Sequence, residues 1–78
     1  MYCTISLEGK LALEEILKIV KNHTNYIFLR DFDINDEMSS IGLIINFNSE
    51  IQMNELVTEL ENKHKGVNIK FINKYSLS

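Results

Sequence analysis

Proline and tryptophan are absent from this sequence, and cysteine occurs once, as Cys3. A single cysteine excludes an intrachain disulfide, and with it the frameworks that stabilise many small secreted proteins. Only three glycines occur, so no glycine-rich loop can cradle a phosphate. No hydrophobic run approaches the roughly 20 residues that span a bilayer, and we expect no leader peptide before the first predicted strand. We therefore expect a cytoplasmic protein, or the cytoplasmic part of a membrane protein, with no membrane insertion by this segment.

A strong positive charge is also missing. The net charge is −3, with eight basic and eleven acidic residues. RNA-recognition domains need a basic surface and stacking aromatic residues on two central strands. The third predicted strand (Ser40 to Asn48) has no basic residue, and its one aromatic residue, Phe47, is predicted to face the helices. We therefore expect no nucleic-acid partner.

What the sequence does contain is a pattern that runs twice. Cys3, Ile5 and Leu7 alternate with polar residues, and a helical spacing follows in which apolar residues recur at i, i+3, i+4 and i+7. The second half repeats this with alternation from Ile41 to Phe47 and then a second helical stretch. A change of period from 2 to 3.6 marks a strand followed by a helix. The order βαββαβ predicts one α+β, ferredoxin-like domain over residues 1–78.

The predicted elements have recognisable ends. Strands are expected over 2–7, 26–33, 40–48 and from 67 onward, with a first helix over 11–22. Ser49 and Gln52 form a capping-box pattern at the start of the second helix. Gly66, followed by Val67, suits a Schellman motif at its end. Right-handed crossovers place both helices on one face of an antiparallel sheet with the order 4-1-3-2.

The opposite face of that sheet is expected to be mixed in character. It should carry Thr4, Ser6, Phe28, Arg30, Phe32, Ile44, Asn46, Lys70 and Ile72. Four of these residues are too apolar for a wholly solvated surface, and a contiguous apolar patch marks an interface: Phe28, Phe32, Ile44 and Ile72. We expect a protein contact through Phe28, Arg30, Phe32 and Ile44, or along the edge of the second or fourth strand. The partner is expected to be a second copy in a homodimer, or a larger parent protein.

The chemistry of catalysis or metal binding finds little support. Asp31, Asp33 and Asn35 copy the first ligands of a calcium loop, but its later glycine and glutamate positions hold Asp36 and Gly42. Cys3, His23 and His64 are not at metal-site spacing, and the histidines suit the ends of helices. Cys3 is expected to be a buried apolar residue. We expect no enzyme, no metal and no cofactor.

The sequence resembles the ACT-type regulatory domains at three places: Gly9 at the first strand–helix junction, Leu11, and the Gly66-Val67 ending. That resemblance implies a regulatory module that often self-associates. It also implies an alternative function, in which an amino acid binds beside Glu8, Gly9 and Lys10. Two positions depart from the family pattern. Ser6 stands where ACT domains that bind amino acids usually have Asp or Asn, and Glu14 stands where an apolar residue is usual.

The sequence is also similar to the cytoplasmic C-terminal domain of the MgtC/SapB membrane proteins. The similar parts are the opening strand, the Leu29-Arg30-Asp31 run and the stretch from Glu55-Leu56 to Gly66-Val67. In that family the domain follows a transmembrane part. This resemblance implies a role in regulation or protein contact, rather than in catalysis.

Overall fold

The computed structural model describes residues 1–72 of the chain. Its elements are β1 (Tyr2–Glu8), α1 (Leu13–Asn22), β2 (Tyr26–Asp33), β3 (Met38–Asn46), α2 (Glu50–Lys63) and β4 (Asn68–Ile72). The predicted order βαββαβ is therefore confirmed. Residues 73–78 of the predicted domain lie outside the described part.

The four strands form one sheet in the order β2-β3-β1-β4, and every neighbouring pair is antiparallel. Counted from the other edge, this is the predicted order 4-1-3-2. β1 and β3 lie in the middle, while β2 and β4 are the edge strands. The α+β class and the sheet topology are thus confirmed.

The core lies between the sheet and the two helices. Ile5 on β1 and Ile41, Leu43 and Ile45 on β3 are fully buried, as the alternation predicts. The helices cover them with a single cluster of buried residues: Ile16, Ile19 and Val20 from α1, and Leu56 and Leu60 from α2. Burying one such side chain contributes about 1.5–3 kcal/mol, so this cluster is the main source of stability in a small domain.

A β-bulge interrupts β2 at Arg30. Leu29 lies opposite Leu43, but the next paired residue of β2 is Asp31, which lies opposite Gly42. One extra residue in a strand moves every later side chain to the other face. Phe32 consequently lies opposite the buried Ile41, on the helix-bearing face of the sheet. The expectation that Phe32 shares a face with Phe28 is wrong for this reason.

The ends of α2 follow the sequence prediction in part. Ser49 is the N-cap, and its side chain accepts a hydrogen bond of 3.4 Å from the backbone N–H of Gln52. At the other end the helix stops at Lys63, and Val67 N–H donates to the carbonyl oxygen of His64 at 3.2 Å. Gly66, with φ +82°, is the third residue of that turn, a position that requires positive φ in a type II turn. The predicted Schellman motif is therefore replaced by a turn after the helix cap.

Candidate interaction surface

The face of the sheet that the helices leave uncovered carries a row of apolar side chains across all four strands. Phe28 of β2 pairs with Ile44 of β3, Ile44 pairs with Tyr2 of β1, and Tyr2 pairs with Ile72 of β4. Directly opposite residues in antiparallel strands lie on the same face, about 4.5–5.5 Å apart. The row is thus one continuous strip, which we call the apolar row (Phe28, Ile44, Tyr2, Ile72).

The apolar row is exposed where it approaches β2. The exposed fraction is 37% for Ile44 and 52% for Phe28, and the adjacent Tyr26 is 51% exposed. Tyr26 lies opposite Asn46 on the same face. Scattered apolar residues are ordinary on a protein surface, whereas a contiguous strip marks a contact surface.

Polar groups border the row on the side toward the β2–β3 hairpin. The Arg30 guanidinium lies 5.1 Å from the centre of the Tyr2 ring, which is cation–π geometry. The Asp31 carboxylate and the Tyr2 hydroxyl both lie over Gly42. A side chain built on Gly42 would meet them at 2.5 Å and 2.6 Å. The absence of a side chain at Gly42 therefore allows the Tyr2 and Asp31 side chains to occupy the centre of the sheet face.

The structure thus brings together three of the four residues predicted for the interface. Phe28 and Ile44 are direct cross-strand partners, and Arg30 lies over Tyr2, which is the next residue of the row. Phe32, 54% exposed, lies on the other face because of the bulge. Tyr2 and Tyr26 were not predicted as contact residues. The alternation that placed Cys3 and Ile5 inward already placed Tyr2 outward, so the signal for Tyr2 was present.

The loop that would line an amino-acid site in the alternative function is held by the β2–β3 hairpin. Gly9 N–H donates to the carbonyl oxygen of Glu37 at 2.9 Å, and the Gly9 carbonyl oxygen accepts from the Ser39 hydroxyl at 2.7 Å. Ser39 Oγ also accepts from Leu11 N–H at 3.2 Å. Both backbone polar groups of Gly9 are therefore used within the chain, between Glu8 and Lys10, whose side chains are exposed.

The acidic hairpin is organised by Asn35. Its side-chain oxygen accepts hydrogen bonds from the backbone N–H groups of Glu37 and Met38, at 2.8 Å and 2.9 Å, and its amide donates to Asp33. This is an Asx-type turn, and it gives the Asn35 oxygen a role within the chain. Within residues 1–72, no three histidine, cysteine or acidic side chains are grouped so that they could hold a metal ion.

The two histidines link the helices to each other. His23 and His64 are the C-cap residues of α1 and α2. His23 Nε2 lies 2.6 Å from a carboxylate oxygen of Glu59 on α2. In return, His64 Nε2 lies 3.3 Å from a carboxylate oxygen of Glu15 on α1, close enough for an ion pair but without hydrogen-bond geometry. Each helix therefore ends in a side chain that reaches the other helix.

Cys3 is fully buried in the core, opposite Leu43 and Phe71. Burial raises the pKa of its thiol to about 12. Since the thiolate is the reactive form, this arrangement does not suit a nucleophile. The expectation of a buried apolar cysteine is confirmed.

Neither of the two helices in the described part combines the length and the apolar composition that a membrane crossing requires. Comparisons with models of known protein families and with curated proteins find no match to this chain.

Proposed function

We propose that this chain is a non-catalytic protein-interaction module that self-associates, and that a second copy packs on the apolar row. The observation that carries the proposal is the continuity of the row across all four strands. A face that meets its own copy around a two-fold axis must be self-complementary. This face meets that requirement because its apolar row is bordered by Arg30 and Lys70 as well as by Asp31 and Asp33.

We also propose a fold family for this module and its location in the cell. The element order and the strand order support a ferredoxin-like, ACT-like fold. A cytoplasmic setting and a regulatory role exerted through protein contact are further parts of the proposal. A chain of this size gains stability from association, because binding that requires the folded state shifts the folding equilibrium toward it. Self-association would thus raise the stability of the small domain as well as cover its apolar row.

The test is the mass in solution, measured by light scattering over a range of concentrations. Ile44→Asp places a charge at the centre of the apolar row, and we expect it to halve the mass of the wild-type assembly. The matched control is Ile51→Asp on α2, where the side chain is 69% exposed and far from the row. Circular dichroism checks that both variants are folded. A wild-type mass that Ile44→Asp leaves unchanged contradicts the proposal.

The alternative function is a sensor that holds an amino acid beside Glu8, Gly9 and Lys10. A ligand bound there at a hundredfold excess over its dissociation constant would stabilise the fold by about 2.7 kcal/mol. Since the hydrogen bonds of Gly9 to Glu37 and Ser39 already use its backbone groups, we expect no amino acid to raise the melting temperature. A reproducible rise with one amino acid, lost in Lys10→Ala, would favour the sensor instead.

A further inference from the structure

Beside the apolar row, on the side toward the β2–β3 hairpin, a second row of paired residues crosses the uncovered face. Asp31 of β2 pairs with Gly42 of β3. Gly42 pairs with Thr4 of β1, which pairs in turn with Lys70 of β4. Directly opposite residues in antiparallel strands lie on the same face, so these four positions form one line beside the apolar row. We call them the polar row (Asp31, Gly42, Thr4, Lys70).

The polar row carries opposite charges at its two ends. Asp31 lies on one edge strand and Lys70 on the other, and both side chains are exposed. Within residues 1–72 neither of them makes an ion pair with another side chain. The two central positions, Gly42 and Thr4, bring no charge. The row therefore ends in a carboxylate at the β2 edge and in an ammonium group at the β4 edge.

Two copies that pack through this face have a limited choice of orientation. Sheets stacked with aligned strands keep their strand directions within about 30° of each other, so a two-fold axis between the two faces runs either along the strands or across them. An axis along the strands, midway between β1 and β3, places each row on the same row of the partner and exchanges the two edges. An axis across the strands instead places each strand on its own copy.

The axis along the strands covers the apolar row completely. Phe28 then faces Ile72 of the partner subunit, and Ile44 faces the partner's Tyr2. Both contacts form twice, because a two-fold axis repeats every contact. Every member of the apolar row thus meets an apolar or aromatic side chain.

The same orientation gives the charges of the polar row their partners. Asp31 faces Lys70 of the partner subunit, and the symmetric pair forms at the other edge of the stacked sheets. The Asp31 carboxylate leans from β2 toward Gly42, within reach of a long lysine side chain that comes from the facing strand. Hydrogen bonds between ammonium and carboxylate groups are stronger than those between neutral groups. Such pairs fix the register of an interface more than they raise its affinity.

An axis across the strands lacks this complementarity, because it stacks β2 on β2 and β4 on β4. Asp31 and Lys70 of the two copies then stay at opposite edges, three strand spacings or about 14 Å apart. When such an axis lies between the two rows, Asp31 faces Phe28 of the partner subunit, and Lys70 faces the partner's Ile72. A charge that is buried against apolar side chains without a partner is costly.

We propose that the second copy packs with the two-fold axis parallel to the strands, between β1 and β3, and that two ion pairs between Asp31 and Lys70 of the partner subunit fix this orientation. The orientation rests on the self-association proposed above. Asp31 and Lys70 are the residues that determine its specificity, since they select one of the ways in which two apolar rows can meet.

The experiment measures the dissociation constant of the dimer by light scattering of full-length proteins over a series of concentrations. Asp31→Lys brings two ammonium groups together at each edge, and Lys70→Glu brings two carboxylates together. We expect each variant alone to form a dimer about tenfold weaker, or weaker still. Circular dichroism checks that the variants are folded.

The matched control is Asp33→Lys, the same charge change two residues further along β2. Asp33 pairs with Ser40, and Ser40 lies in line with Ser6 and Asn68. In the proposed orientation Asp33 therefore faces the uncharged Asn68 of the partner subunit. We expect Asp33→Lys to keep the dissociation constant near the wild-type value.

Mixing the two charge variants tests the orientation directly. Asp31→Lys and Lys70→Glu each repel their own copies, whereas a mixed pair has opposite charges facing each other at both edges. We expect the mixture to form dimers of wild-type strength, and native mass spectrometry to identify them as mixed. The exchange of both charges within one chain should restore the dimer as well.

The outcomes separate this orientation from the proposed function. A wild-type dimer that Ile44→Asp splits, but that Asp31→Lys and Lys70→Glu leave intact, would overturn the orientation and leave the proposed function standing. Two weakened variants that do not recover on mixing would do the same. A wild type that is a monomer at every concentration would overturn both.

Discussion

Ser39 is the buried polar side chain of residues 1–72, and its surroundings explain its burial. Its hydroxyl accepts from the N–H groups of Leu11 and Asn35 and donates to the Gly9 carbonyl oxygen. A buried polar group is costly unless its hydrogen bonds are made. Here one side chain satisfies the turn before α1 and the β2–β3 hairpin, and so joins two loops that are distant in sequence.

We expect Ser39→Ala to lower the free energy of unfolding by about 1–3 kcal/mol, because it leaves buried backbone groups without partners. Chemical denaturation monitored by circular dichroism measures the loss. Ser40→Ala is the matched control, since Ser40 lies on the opposite face of the same strand, and should change stability by less than about 0.5 kcal/mol. Equal effects of the two substitutions would refute the structural role of Ser39.

At the scale of the elements, the sequence predicted the strands and helices with long, regular patterns well. β1, β3 and α2 follow their alternation or helical spacing, because the hydrophobic period decides which face is buried. The bulge could not be predicted from the sequence, because it is defined by the pairing of β2 with β3. That pairing places Leu29 and Asp31 opposite consecutive residues of β3 and skips Arg30. Phe32 was placed on the wrong face for that reason.

The start of α1 differs from its prediction in a related way. Leu11 fits the apolar pattern and is buried, but it lies in the loop before Leu13, where the helix begins. Its backbone N–H donates to Ser39 instead of joining a helical turn. A tertiary contact that the sequence pattern does not encode therefore sets this boundary, and the same contact holds the loop of the candidate ligand site.

The contact between His23 at the end of α1 and Glu59 on α2 makes the stability of the fold depend on pH in the acid range. The pKa of the Glu59 carboxyl lies below its ordinary value of 4.5, mainly because of the hydrogen bond to His23, with a further contribution from Lys63. A carboxyl whose pKa is lower in the folded state stabilises the fold above the ordinary pKa. That stabilisation is lost as the pH falls through the folded value.

We therefore expect the wild type to lose stability below about pH 4.5, and Glu59→Gln to lose less over the same range. The measurement is the free energy of unfolding at a series of pH values. Glu61→Gln, on an exposed position of the same helix, serves as the control and should follow the wild type. Identical slopes for wild type and Glu59→Gln would show that the link to His23 contributes nothing.

At the scale of the whole molecule, the small core and the uncovered apolar row point to the same property. A domain of this size has a stability of only a few kcal/mol, roughly 3–5. Association through the apolar row would add to that stability by mass action. The folded chain and its assembly are then coupled, and stability becomes a function of protein concentration.

We expect the melting temperature to rise by roughly 5–10 °C for a hundredfold increase in chain concentration. Scanning calorimetry or thermal circular dichroism at several concentrations measures the rise. The Ile44→Asp variant should melt at a temperature that does not depend on concentration. A wild type with the same independence would argue for a monomer.

The bulge at Arg30 has a consequence for how this surface can change. The bulge determines which face each later side chain of β2 occupies. Phe28 and Asp31 share one face, while Phe32 lies on the other. Deleting Arg30 would remove the bulge and make the pairs Leu29–Leu43 and Asp31–Gly42 consecutive, so Phe32 would stay on the helix-bearing face and Asp31 and Asp33 on the uncovered face. The loss of one residue would thus take a single guanidinium away from the Tyr2 ring and straighten the edge strand, while its acidic and aromatic side chains kept their places.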